Sequence, residues 1–96
     1  MEISIQTICQ FATERVRAAK SEEFRAKYGD NTIILHELSY SYQAFDDDAK
    51  KLEEHTNCKA YQFAGLTIAE FTKKNAVAIF PRLVRLGYKI AILNDY

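Results

Sequence analysis

Three consecutive aspartates, Asp46 to Asp48, form the densest group of possible metal ligands in the sequence. A hard cation such as Ca²⁺ or Mg²⁺ needs several oxygen ligands that converge on one point. Neighbouring residues at the start of a helix point in different directions, so these carboxylates cannot converge without ligands from elsewhere. Asp46 is instead placed to cap a helix that runs to about residue 56, with Asp47 and Asp48 solvated at its positive end. The sequence therefore predicts a helix start and no metal site.

The histidines and serines match no catalytic pattern. His36 lies in a predicted strand without a cysteine or a second histidine near it, and His55 lies at the end of the predicted helix. Both are expected to have structural or surface roles. Ser39 and Ser41 lack the Gly-x-Ser-x-Gly elbow of a serine nucleophile, and the chain has neither a phosphate-binding glycine loop nor a dinucleotide fingerprint. We expect no enzyme, no catalytic residue and no cofactor.

Basic residues concentrate in two regions that could form a rim facing DNA phosphates. The first group is Arg15, Arg17, Lys20, Arg25 and Lys27, and the second is Lys73, Lys74, Arg82, Arg85 and Lys89. An ordinary solvated helix face would show the same spacing. Tyr40 and Tyr42 could stack on bases, although aromatic residues in an alternating strand more often fill a core.

Composition limits the class of protein. A chain of 96 residues is long enough for one domain with one modest core. Its 13 basic and 13 acidic side chains cancel, which argues against strong non-specific binding of nucleic acid. Cys9 and Cys58 are not in a metal-ligand spacing and are expected to be free, buried thiols. No segment is apolar enough to cross a membrane, so a soluble cytoplasmic protein is expected.

Periodic apolar residues predict a helical region over residues 4–28, followed by a strand. The apolar stripe of this region is Ile5, Ile8, Cys9, Ala12 and Val16. The pattern weakens near Ser21, which leaves either one long helix or two short helices. Residues 32–38 are β-branched and apolar, as in a buried strand, and the residues after them alternate. The alternation places Leu38, Tyr40 and Tyr42 on one face and Ser39, Ser41 and Gln43 on the other.

Residues 58–68 are typical of strand, and Gly65 marks a turn or bulge, so a hairpin is expected. The polar residues 70–75 are expected to form a connection. Asn75 would then cap a helix through Leu86, with Pro81 as a kink or as its first turn. The expected apolar stripe of that helix is Val77, Phe80, Leu83 and Val84.

The last apolar run, residues 88–93, predicts a strand in the interior of a sheet. The element order is then α(α)-β-β-α-β-(β)-α-β. We predict a single α/β domain of the mixed α+β type, in which about three to four helices flank a mixed sheet.

Three segments resemble the N-terminal, mismatch-recognising domain I of the MutS family of DNA mismatch repair proteins. Residues 27–35 (Lys-Tyr-Gly-Asp-Asn-Thr-Ile-Ile-Leu) resemble a helix end and strand of that domain, and residues 45–49 (Phe-Asp-Asp-Asp-Ala) are similar to its helix start. Residues 83–92 are similar to its closing helix and strand. The similarity covers residues 21–96, with 58–75 poorly matched, and leaves residues 1–20 as an extra N-terminal helix.

The resemblance implies which residues would meet DNA. In the family a Phe wedges beside the mispaired base, and a Glu two residues later hydrogen-bonds that base. Ser41 and Gln43 occupy those positions here, with Tyr42 between them. A serine cannot wedge into a base step, which requires a bulky apolar side chain, whereas Gln43 could still bond to a base edge.

We therefore expect a stand-alone MutS-like domain that binds DNA, or takes part in DNA repair, without the wedge and without the family's ATPase. Its partner would be duplex DNA or a DNA-processing protein, and its oligomeric state is open. The candidate DNA contacts are Ser41, Tyr42, Gln43, Lys73, Lys74, Arg82 and Arg85. The alternative is a protein-interaction or structural module that kept the fold and lost DNA binding, which the zero net charge favours.

Overall fold

The computed structural model describes residues 5–94, with side chains from residue 14 onward. Three helices and five strands make up this part of the chain. They are α1 (Ile5–Tyr28), β1 (Thr32–Glu37), β2 (Ser41–Phe45), α2 (Asp47–His55), β3 (Ala60–Phe63), β4 (Leu66–Thr72), α3 (Lys73–Arg85) and β5 (Lys89–Asn94). None of the described helices is long and apolar enough to span a membrane.

The five strands form one mixed sheet in the order β3-β4-β2-β1-β5. Strand β5 runs parallel to β1, and every other pair is antiparallel. The connection through α3 therefore crosses β2 and β1 before the chain enters β5, as a parallel pairing requires. The predicted class, a single mixed α/β domain, is confirmed.

Helices cover both faces of the sheet. On one face, α2 and α3 bury Leu52 and Leu83 against Ile33 and Leu35 of β1. On the other face, α1 contributes Ala18 to a smaller cluster, whose members on the sheet are Phe45, Leu66 and Ile68. The core is thus split by the sheet, and the α2–α3 side holds the larger share of it.

Helix α1 is continuous through Ser21, so of the two alternatives the single long helix is the observed one. The predicted apolar stripe is wrong at Val16, which is 54% exposed. The residues of α1 that are buried against the sheet are instead Glu14, Ala18, Ser21 and Arg25. Ile5, Ile8, Cys9 and Ala12 lie outside the side chains described. The division at residue 20 into an extra helix and a domain stays a prediction.

Helix α2 begins where the aspartates predict, but Asp46 does not cap it through its side chain. The backbone N–H of Asp46 donates to the carbonyl of Thr67, and its Oδ1 accepts from the N–H of Thr67 at 3.2 Å. Asp46 has a positive φ of 52°. These contacts join the start of α2 to β4. The Asp46 carboxylate is therefore bonded to a strand and not to the N–H groups of the helix.

Helix α3 begins earlier than predicted. Strand β4 continues to Thr72, whose hydroxyl caps the helix by accepting from the N–H of Asn75 at 3.2 Å. The expected polar connection over 70–75 and the cap at Asn75 are therefore wrong. Pro81 lies inside the helix rather than in its first turn. The helix ends just before Gly87, which has φ 94° as its predicted role as a stop requires.

The predicted apolar stripe of α3 is only half right, because Val77 and Val84 are exposed while Ala76 and Leu83 are buried. A stripe through Val77 and Val84 and a stripe through Ala76 and Leu83 both fit a period of 3.6 residues. The sequence does not show which of the two stripes faces the sheet.

The prediction of the hairpin is confirmed, whereas the predicted interior position of the last strand is wrong. Ala64 and Gly65, both with positive φ, form the two-residue turn between β3 and β4, so the predicted hairpin is confirmed. Strand β5 is wrong as an interior strand: in the described sheet it pairs with β1 alone and forms an edge. Cys58 is a free, buried thiol, as expected.

Candidate nucleic-acid interface

The positions that the resemblance assigns to the family's wedge and base contact, Ser41 and Gln43, lie in β2. Because side chains alternate along a strand, Ser41 and Gln43 share the face toward α1 and Tyr42 points to the opposite face. Ser41 is 8% exposed and Gln43 is 5% exposed. The predicted alternation is correct for residues 41–43 and wrong for residues 38–40, which form the turn between β1 and β2. In β2 it carries the two predicted reading residues into the interior.

A network of hydrogen bonds holds these two side chains under α1. The Ser41 hydroxyl donates to Oε2 of Glu70 at 2.9 Å, and the Gln43 amide donates to Oε1 of the same carboxylate at 3.0 Å. Arg17 of α1 donates to Oε1 of Gln43 at 3.1 Å, and it also pairs with Glu14 at 3.3 Å. Burial raises the pKa of Glu14, while the Arg17 charge and Gln43 act in the opposite direction. Both the oxygen and the nitrogen of the Gln43 side-chain amide therefore have hydrogen-bond partners.

The network closes this part of the sheet to a base pair. A DNA base could reach Gln43 only if the Glu14–Arg17 turn of α1 moved away, because Arg17 already bonds to that side chain, and Ser41 beside it is 8% exposed and bonded to Glu70. Contact of these two residues with DNA stays a prediction, and it requires that α1 leave the sheet.

Tyr42 packs on the other face. Its ring lies against Phe71 and Phe80, with centroid distances of 5.6 and 5.3 Å. The ammonium group of Lys73 lies 5.7 Å from the centre of the Tyr42 ring and forms an ion pair with Glu37 at 3.2 Å. The aromatic residue displayed at this end of the sheet is Tyr40, which is 85% exposed in the β1–β2 turn.

The remaining predicted contacts lie on α3. Lys74, Arg82 and Arg85 are exposed, and the helix carries four cationic side chains and no acidic one. Lys74 and Arg85 are eleven residues apart, close to three helical turns, so they lie on the same side and about 17 Å apart along the axis. The structure therefore joins these three predicted residues on one outward face and separates them from Ser41 and Gln43.

The aspartates do not form a metal site. Asp47 is exposed, whereas Asp48 is fully buried and forms an ion pair with Arg25 of α1. Arg25 also pairs with Asp47 at 3.4 Å. The expectation that Asp48 is solvated is wrong, because α1 covers this end of the sheet. Within the described residues, no three His, Cys, Asp or Glu side chains are grouped to hold a metal ion.

The histidines have partners inside the fold. Nε2 of His36 is hydrogen-bonded to the Ser21 hydroxyl at 2.8 Å, and His36 is fully buried. His55 contacts the hydroxyl of Tyr88 at 3.3 Å. Both are placed as the expected structural role requires.

Sequence reasoning missed the polar layer between α1 and the sheet. Arg17, Ser21 and Arg25 are spaced by four residues, and each bonds to a polar side chain of the sheet or of α2. The spacing was a usable signal, since polar residues at i, i+4 and i+8 share one helix face. This signal is easily missed, because the buried face of a helix is usually marked by an apolar stripe.

Asp48 makes stability depend on pH. Burial raises its pKa from 3.8 to about 6, against the opposing effect of Arg25. A carboxyl whose pKa is higher in the folded state stabilises the fold fully below its unfolded pKa, and this contribution is lost as pH rises through the folded pKa. We expect the unfolding free energy of the wild type, minus that of Asp48→Asn, to fall by about 2 kcal/mol between about pH 4 and pH 7. Urea unfolding of both proteins across this range measures it, and a flat difference contradicts the raised pKa.

A mixed sheet with a helix on one face and two on the other defines a small α/β domain. The MutS domain I family model matches residues 20–96. The chain therefore belongs to the MutS domain I family, whose members are modules related to mismatch recognition. A comparison with curated proteins gave no match.

Proposed function

We propose that this chain is a non-catalytic MutS-like module that binds the DNA backbone through the outward face of α3 and does not read mismatches. The observation that carries the proposal is the charge of α3, which has Lys73, Lys74, Arg82 and Arg85 and no acidic residue. Phosphate contacts need only positive charge at the surface, whereas base reading needs side chains that reach the base edges.

Burial of the reading positions supports the second half of the proposal. A mismatch reader must insert a bulky side chain beside an unstacked base. Ser41 is small and Gln43 is engaged by both Arg17 and Glu70, so this face offers neither a wedge nor a free hydrogen-bonding group. Binding is therefore expected to be independent of sequence and of pairing. The free thiol of Cys58 fits a cytoplasmic location for such a module.

Fluorescence anisotropy with a short labelled duplex at low salt tests the proposal. The double variant Lys74→Gln/Arg85→Gln should bind the duplex more weakly. The slope of log K for binding against log salt concentration should become less steep by about 2, since each lost phosphate contact removes about 0.9. Matched and mismatched duplexes should bind equally well. Both side chains are exposed, so the fold should survive the change.

Lys27→Gln/Lys50→Gln is the matched control, because it removes the same charge from exposed positions on α1 and α2. It should leave most of the affinity intact. Equal losses in the two variants would mean that net charge alone governs binding. The absence of binding to any duplex would sink the proposal.

The alternative function is a protein-interaction module that kept the fold and lost DNA binding. Exposed apolar residues beside the cations favour it, because Val77 is 79% exposed and Val84 and Leu86 are exposed as well. A chain that fails to bind DNA but captures a DNA-processing protein through this face would establish the alternative.

A further inference from the structure

A groove of about 550 Å³ lies between α3 and the loop that joins α2 to β3. Its buried floor includes Cys58, Phe71 and the half-buried Ile79, and its exposed rim includes Lys59, Asn75 and Arg82. We call it the α3 groove. Its volume lies within the range of ligand sites in proteins, about 300–1,000 Å³.

The floor of the α3 groove is apolar and fixed. The Phe71 ring packs edge-to-face on Phe80 at 6.0 Å and also contacts Tyr42, whose ring touches Phe80 as well. The Cys58 thiol donates to the carbonyl of Glu70 at 3.4 Å, and burial raises the pKa of this thiol. The thiol is therefore neutral near pH 7, and the floor offers a flat apolar body a surface without charge.

The rim is positive. Lys59 and Arg82 line the groove, and neither forms an ion pair with any residue whose side chain is described. Glu70 also lines the groove, but its carboxylate accepts from Ser41 and Gln43 on the opposite face of the sheet. The side-chain amide of Asn75 has no hydrogen bond to the described residues and adds a donor and an acceptor.

We propose that the α3 groove binds a small phosphate monoester with a flat, largely apolar body. A phosphate monoester carries a charge of about −1.5 to −2 near pH 7, which matches the two cations of the rim. Lys59 and Arg82 hold the phosphate, and the body lies on the floor of Phe71 and Ile79. Phenyl phosphate has this chemistry, and a nucleoside monophosphate such as dCMP shares its phosphate and a flat ring, with polar groups on the ring edge and the sugar. Arg82 also belongs to the outward face of α3 that the proposed function assigns to DNA, but the groove needs neither Lys74 nor Arg85, so the two proposals can fail separately.

Titration of the ¹⁵N-labelled protein followed by NMR tests the proposal with four probes: dCMP, phenyl phosphate, deoxycytidine and inorganic phosphate. The two monoesters should shift the amide signals of Cys58, Phe71 and Ile79 in a saturable way. Deoxycytidine lacks the phosphate and inorganic phosphate lacks the flat body. Each should therefore bind at least about tenfold more weakly than the two monoesters. Inorganic phosphate that binds as tightly as dCMP would overturn the site, as would monoester shifts that lie elsewhere.

Two variants separate the groove from general surface charge. Arg82→Gln and Lys59→Gln should each weaken dCMP binding by about tenfold or more, since each removes a charged hydrogen-bond donor. Lys74→Gln, on the same helix but outside the groove, should bind dCMP like the wild type. Unchanged spectral dispersion shows that each variant is folded. Equal dCMP affinity in Arg82→Gln and the wild type contradicts the proposal, whatever the outcome with duplex DNA.

Discussion

Arg25→Met should lower the free energy of unfolding by about 3–5 kcal/mol near pH 7, because it leaves the buried carboxylate of Asp48 without its cation. Arg25 is itself buried, so methionine keeps most of the packing of its aliphatic stem. In a domain of this size the loss corresponds to a fall of about 12–40 °C in Tm. Thermal and urea unfolding of the variant and the wild type measure the effect.

The pH dependence of this loss identifies its cause. Without Arg25, the effect that opposes burial is gone, and the pKa of Asp48 should rise above the value of about 6 that it has beside Arg25. The variant should therefore regain stability, relative to the wild type, as pH falls and Asp48 takes up a proton. A second variant, Arg25→Met/Asp48→Leu, removes both charges and should recover most of the loss.

Lys27→Met is the control for Arg25→Met, since it makes a similar change at an exposed position of the same helix. It should change the free energy of unfolding by less than about 0.5 kcal/mol. Should Arg25→Met also stay within about 1 kcal/mol of the wild type, the ion pair would not hold α1 to the sheet.

Ser41→Phe/Gln43→Glu, which introduces a Phe and a Glu where the resemblance expects the family's wedge and carboxylate, should destabilise the protein by about 3 kcal/mol and create no mismatch binding. The phenyl ring would have to fit where Ser41 is buried under α1. The new carboxylate would lose the donor that Gln43 gives Glu70 and would add a like charge beside Glu14 and Glu70. Each change therefore conflicts with the closed network.

Urea unfolding measures the cost, and anisotropy with matched and mismatched duplexes measures the function. Ala19→Phe/Gln62→Glu introduces the same residue types at exposed positions and should be nearly neutral. Tighter binding of a mismatched duplex by Ser41→Phe/Gln43→Glu would show that α1 leaves the sheet readily. That outcome would contradict a closed site at Ser41 and Gln43.

The polar layer between α1 and the sheet fixes the position of α1 on the sheet. Three side chains of one helix face bond to Gln43, His36 and Asp48, so a rotation or shift of α1 would leave several buried polar groups without partners. An apolar interface would tolerate such a shift better, since hydrophobic contacts are not directional. Opening the Ser41–Gln43 face breaks at least the bond between Arg17 and Gln43, and displacing the whole of α1 breaks all three bonds.

Local patterns determined most of the elements. Turn residues at Gly65 and Gly87, the β-branched run of β1 and the aspartates before α2 act over a few residues, and each marks an element that the structure contains. The mixed α/β class follows from the order of these elements. The shared face of Ser41 and Gln43 also follows from alternation along one strand. Their match to the family's reading positions is implied by the resemblance and not by alternation.

Only the tertiary structure decided which faces and edges are covered. The place of β5 at an edge depends on a parallel pairing with β1, far away in sequence, and a continuous apolar run is equally compatible with the interior. Val16 and Val84 fit a periodic stripe and yet are exposed, because the direction from which a helix crosses the sheet is set by long-range packing. For the same reason, the burial of Ser41, Gln43 and Asp48 under α1 is a property of the fold and not of any local pattern.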